Sequence, residues 1–366
     1  MKTFLKIIII IIAIVLLIGL GYWLWNKFIG PAPTLVGVAP PALPAGKAGE
    51  IGPGFNLASA AEIFDYWVKP GGEIYAVAQN GEILRISPSG EEKISSQTIA
   101  NLHSVSASPD GHLAVISFGY PFQETFALFD TRNNSWQALP ANTTAAAWDP
   151  QSSNRLAYLK TSGKTGSLNL LTLNDQKARE IMKIVSLDLE MNWLAPDTIY
   201  LSEKPAAQFK GLVWAVNIVK KTVQSVIPPE NGLMTAWAPD GSFALKSASQ
   251  EKNLLVVNNR NQTLAKLNFS TIADKCAIDQ KNIYCAVPKN LEGISVIWPD
   301  DYLKKKIYTE DDLTQIPLIL GIDDRLNDLA IPLLVPLTAD ISKIKISGDQ
   351  LYFINRYDSK LYSLAL

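Results

Sequence analysis

After residue 55 the apolar positions fall in short alternating runs, among them "HLAVISF" (His112–Phe118) and "NIYCAV" (Asn282–Val287). Alternation of this kind marks strands, because successive side chains of a strand point to opposite faces. The runs are separated by turn residues, most clearly in "WAPDGSFALK" (Trp237–Lys246), where Pro-Asp-Gly stands between two apolar stretches. Proline fixes φ there, and Asp and Gly tolerate the reversal. The turn recurs at Pro70, Pro109, Pro150, Pro196 and Pro239, 39 to 46 residues apart, and weaker copies put Ile278 and Ser347 in the proline position. Each unit then offers four strands: a run ending at the turn, an alternating run after it, a third such as "TFALFDTRNN", and a fourth such as "SWQALP". Short strands repeating every 40 to 45 residues are the pattern of propeller blades, which cannot bury both faces of their sheets alone.

The last unit supplies about three strands before Leu366, so the segment around Phe55–Phe64 is expected to complete it and close the ring. The 69 residues from Ile278 to Ser347 put an insertion in the sixth blade. The predicted fold is all-β, a seven-bladed β-propeller over residues 55–366, preceded by one N-terminal transmembrane helix.

That helix is expected over residues 7–25, an uncharged run of roughly bilayer-spanning length. A cleaved signal peptide has a shorter apolar core and a small-residue cleavage site, whereas this run ends in "GYWLWNKF", with aromatics suited to the headgroup boundary. Lys2 and Lys6 precede it, so residues 1–6 are expected in the cytoplasm and the propeller outside the cell (inner) membrane. Residues 26–54, rich in Pro, Ala and Gly, read as an extended tether.

The "SPDG" and "APDG" turns on this period, with the ending "LYFINRYDSKLYSLAL", resemble the TolB-like and WD-repeat-like propellers of bacterial envelopes. The resemblance covers nearly everything after the tether. It implies the fold and says little about activity, since propellers host many functions.

Charge narrows the chemistry. The chain carries 33 basic and 34 acidic side chains, without the basic stripe of a nucleic-acid binder. Cys276 and Cys285 flank the "AIDQKNIY" turn and should face each other across adjacent strands. They form either a disulfide, permitted outside the cytoplasm, or a reduced core pair; the disulfide is the reading adopted. His103 and His112 lack the companions of a metal site or a hydrolase triad, and no cofactor motif is present. The pairs Asp300–Asp301, Asp311–Asp312 and Asp323–Asp324 do not have calcium-loop spacing and read as solvated or helix-capping. Trp67, Trp148, Trp193 and Trp237 precede their turns and read as packing residues.

In a propeller the second-to-third strand connections share one face. Four of them read as long here: residues 119–125, 160–167, 202–211 and 288–306. They carry Tyr120, Phe122, Phe209, Trp298 and Tyr302 beside Lys204 and Asp301. Aromatics with a polar rim suit protein recognition. The expected function is a non-catalytic binding or scaffolding module of the bacterial envelope, held to the membrane and engaging an envelope protein or other envelope component. The alternative is a propeller enzyme (lyase, glycan-active or quinone-dependent) with its site in the central channel. The first strands offer mostly Ala, Ser, Val and Trp to that channel, which favours binding.

Overall fold

Seven four-stranded antiparallel sheets make up the structure, a computed structural model that describes residues 54–366 except 96, 121–122, 164, 186–187, 290–296 and 320. The expected span over 7–25 lies outside the described residues, as does the tether except Gly54. Among the described residues no helix is long and apolar enough to cross a membrane. Blades one to six run in sequence over Ile63–Ser95, Leu102–Ala138, Thr143–Ile184, Leu189–Asn231, Met234–Lys266 and Cys276–Leu333. The first strand of each blade lies toward the axis, and that of blade seven (Ile341–Ser347) packs beside that of blade one (Ile63–Val68). This is a closed seven-bladed β-propeller.

Closure is shared by the two ends of the chain. The strand Phe55–Ser59 pairs antiparallel with the last strand, Lys360–Ala365, and becomes the outer strand of blade seven. Ala365 N donates to Gly54 O at 2.7 Å, and Leu366 N to Asp349 O at 2.8 Å, in the hairpin joining the first two strands of that blade. The first-to-second hairpins of all blades lie on this face of the ring, here called the turn face. The chain therefore joins the propeller on the turn face. The second-to-third and blade-to-blade connections lie on the opposite, loop face.

The recurrent turn has a local cause. Gly111 and Gly241 adopt φ of 68° and 69°, which favours glycine. Asp110 Oδ1 accepts from His112 N at 3.0 Å, and Asp240 Oδ1 from Ser242 N at 3.0 Å, so the carboxylate holds the reversal.

Burial explains why blades need neighbours. The buried apolar residues form seven clusters, one for each pair of adjacent blades; one joins Trp67 and Val77 of blade one to Ile116 and Phe129 of blade two. Each such side chain contributes roughly 1.5–3 kcal/mol when taken from water. The tryptophans belong to these seams. Trp67 Nε1 donates to Gly111 O of the next blade at 2.9 Å, and Trp148 Nε1 to Ser106 O of the preceding one at 2.9 Å. Trp193 is buried, and Trp237 packs on Tyr200 with ring centroids 4.3 Å apart.

Two of the expected long loops are hairpins instead. Tyr120 pairs with Gln123, and Ser162 with Thr165, so the strand ladders reach these pairs where long loops were expected. Residues 204–209 and the described residues 297–309 of the sixth-blade insertion form no strand.

Candidate functional site

The insertion in blade six defines the site. Its described part, residues 297–309, contains one short helix (Asp300–Leu303) and crosses the loop face instead of projecting from it. It touches four blades. Asp300 Oδ1 accepts from Ala207 N of blade four at 2.6 Å, and Ser249 Oγ of blade five donates to Trp298 O at 2.6 Å. Arg356 Nη2 of blade seven donates to Tyr302 O at 2.9 Å, and Lys275 Nζ, at the start of blade six, to Tyr302 OH at 3.2 Å.

Tyr302 is the pin of this strap. The sequence reading put it on an exposed binding surface, but only 3% of it is accessible. The Arg356 guanidinium lies 3.8 Å from its ring centroid, and the hydroxyl donates to Asp340 Oδ1 at 3.2 Å. Burial pushes its pKa up to about 12, so it is a neutral donor at physiological pH. Around it lies a neutral quartet of Lys275, Arg356, Asp311 and Asp340. Lys275 Nζ is 2.8 Å from Asp340 Oδ1, 2.6 Å from Asp311 Oδ2 and 2.8 Å from Thr309 Oγ1. Burial works against the Lys275 charge, but Tyr302, Asp311 and Asp340 outweigh it and hold the ammonium above its ordinary range. Burial, helped by Asp340, pushes the Asp311 carboxyl up despite Lys275. The sequence reading took Asp311 as solvated; it is 4% exposed and belongs to the core. Of the other acidic positions, Asp323 accepts from Arg325 N and Asp301 from Ile297 N at 2.9 Å, while exposed Asp312 pairs with Lys289 at 2.7 Å.

Of the remaining expected face residues, Tyr120 is 71% and Phe209 75% exposed, both on the loop face. Trp298 is half-buried, with its ring centroid 5.7 Å from that of Tyr302. Lys204 pairs with Asp188 at 2.8 Å and Glu124 at 3.8 Å. Asp301 lies 3.5 Å from Lys306. Phe122 lies outside the described residues. Sequence reasoning missed Val185, Ile297 and Leu303, which are exposed on the same face; single apolar residues in polar connections give no periodic signal. A disulfide joins Cys276 and Cys285, opposite each other on adjacent strands of blade six.

Beneath the strap, at the loop-face end of the axis, lies a cavity of about 620 Å³. Asp65, Glu190, Glu203, Asp274, Lys343 and Lys345 line it, with Leu303 of the strap. The channel is thus more charged than its first strands suggested, because acidic and basic residues cluster at one end of those strands and in the connections leading to them. His103 also lines it and bonds through Nε2 to Gly119 O at 2.8 Å. Asp65 is 2.9 Å from Lys345 Nζ and 3.4 Å from Lys343 Nζ. Burial pushes its carboxyl up, but the two lysines prevail and leave it below the usual value. Glu190 is the reverse case. Water reaches it inside the channel, yet the surrounding protein, and then Asp274, raise its carboxyl despite Lys204 and Lys343. Among the described residues no group of three or more His, Cys, Asp or Glu is placed to hold a metal ion.

The fold and the capped channel define a seven-bladed propeller, and comparison with known proteins takes it no further than that class. No family model matches the chain, and no curated protein matches it. Among solved structures it is similar to an oligogalacturonate lyase in complex with manganese (9% identity, 84% of this chain and 89% of that one, TM-score 0.54). It is also similar to the tricorn protease (9% identity, TM-score 0.53), with 86% of this chain aligned to 34% of that one. The structural neighbours include TolB from Acinetobacter baumannii (8% identity, 82% and 62% of the two chains, TM-score 0.41). At these identities the likeness concerns the fold alone.

Proposed function

We propose that this protein is a membrane-anchored, extracytoplasmic propeller that binds an envelope component through its loop face and performs no chemistry of its own. One observation carries the reading: Tyr120, Val185, Phe209, Ile297 and Leu303 are exposed on the same face, around the strapped channel mouth. Apolar side chains exposed on one face beside polar groups suit an interface. Two facts support the arrangement. The chain joins the propeller at Gly54 on the opposite face, and an apolar run suited to a membrane span occupies residues 7–25.

The test is crosslinking of the full-length protein in its native membrane, compared with a variant carrying Tyr120→Ala, Phe209→Ala, Ile297→Ala and Leu303→Ala. Loss of one recurrent partner from a variant that melts like the parent supports the proposal. Retention of every partner overturns it. A second reading, an enzyme acting in the channel, rests on Glu190, whose raised carboxyl suits a proton donor. It would be favoured if a small-molecule substrate were turned over and Glu190→Gln abolished the turnover.

A further inference from the structure

The charged groups of the channel cavity are not evenly matched. All three lysines that line it are committed: Lys345 and Lys343 to Asp65, and Lys204 to Asp188 and Glu124. Of the four carboxylates only Asp65 makes an ion pair; Lys343 acts on Glu190 and Asp274, and Lys204 on Glu190, only at longer range. Glu190, Glu203 and Asp274 accept no hydrogen bond and make no ion pair among the described residues. Glu190 and Asp274 come from different blades, and both are reached by water from the cavity. The rest of the wall mixes polar His103, Ser202 and Thr235 with an apolar part formed by Val105, Val213, Leu233, Met234 and Leu303.

We propose that this cavity is a binding site for an alkylammonium group, its charge held by Glu190 and Asp274 and its methylene stem by the apolar wall under the strap. Carboxylates without a direct ion-pair partner in a protein-walled space attract a cation more strongly than they would in open water. The carboxylates are too dispersed to enclose a single metal ion. An elongated cation with an apolar stem matches both parts of the lining. Burial and then Asp274 raise the Glu190 carboxyl, and an ammonium beside it would offset the Asp274 contribution. The ammonium could belong to a free amine or to a lysine side chain of a polypeptide. Apart from Leu303, the site shares no residue with the exposed loop-face group, and it does not depend on the binding role proposed for that group.

The experiment uses the full-length protein in detergent, titrated calorimetrically with 1,5-diaminopentane and, in a second arm, with a short capped peptide containing one lysine. Saturable binding is expected in at least one arm, weakened about tenfold or more by Glu190→Gln with Asp274→Asn, equivalent to about 1.4 kcal/mol. Binding of the diamine assigns a free amine; binding of the peptide alone assigns a polypeptide. A thermal melt checks that the double variant is folded, and each single variant is titrated as well. The proposal is overturned if neither probe binds at millimolar concentration. It is also overturned if binding survives the double substitution, or if 1,5-pentanediol binds as well as the diamine. Crosslinking of the double variant keeps the two proposals apart, since loop-face capture should persist in it.

Discussion

Lys275 Nζ and Asp340 Oδ1 lie 2.8 Å apart with neither side chain accessible to solvent, and the pair bolts the start of blade six to the start of blade seven. The same ammonium reaches Asp311 and the Tyr302 hydroxyl, so the blade seam and the strap share one anchor. Removing it leaves Asp311 without an ion pair and Asp340 with Arg356 as its one remaining cationic partner among the described residues. Lys275→Met should therefore destabilise the propeller by about 3–5 kcal/mol in chemical denaturation. A loss under about 1 kcal/mol would mean that water or Arg356 takes over the lysine's role.

Gly232 lies under the strap with φ of 64°. A β-carbon there would overlap Ser249 Oγ and come within 2.9 Å of Pro299 Cδ. Gly232→Ala should break the Ser249–Trp298 tie and cost about 1–3 kcal/mol through backbone strain and the clash. Limited trypsinolysis reads the local effect: cleavage after Lys304, Lys305 or Lys306 should accelerate relative to the parent. An unchanged cleavage rate would show that Tyr302 and Asp300 suffice to hold the strap.

Glu190 makes a prediction about pH. Its folded-state pKa is raised, so the folded protein binds that proton more tightly than the unfolded chain does. The resulting stabilisation is present below the ordinary carboxylate range and is lost as pH rises through the raised pKa. At neutral pH the ionised carboxylate is then a cost that glutamine does not carry. Glu190→Gln should melt higher than the parent at pH 7, with the gap closing as pH falls toward about 4. A gap independent of pH would place the effect in packing, not charge.

The Cys276–Cys285 bridge closes a short loop within one hairpin. Loop-closure entropy for about ten residues gives roughly 2–3 kcal/mol. Cys276→Ser with Cys285→Ser should lower stability by that amount under oxidising conditions and make the protein indifferent to reductant.

Much of the ring was legible because its signals are local. Each Pro-Asp-Gly reversal needs a positive φ at glycine and a carboxylate near the next amides, and both leave letters in the sequence. Closure by Phe55–Ser59 could be inferred from counting strands. The strap was hidden for a different reason. Tyr302, Asp311 and Lys275 are polar residues in a polar stretch, and only the tertiary arrangement shows them to be buried. Likewise the charges at Asp65, Glu190 and Lys343 are spread over three blades, far apart in sequence, so no local motif reveals that they face one cavity. The extended hairpins at residues 119–125 and 160–167 were read as loops because backbone pairing does not require apolar side chains.

The closing strand has a mechanical consequence. It runs from Gly54 on the turn face toward Ser59 on the loop face, paired with the last strand of the chain. A pull applied at Gly54 away from the turn face acts along this strand, so its hydrogen bonds to Lys360–Ala365 share the load in shear. Tension from the chain that precedes Gly54 is thereby delivered to the clasp that keeps the propeller a ring.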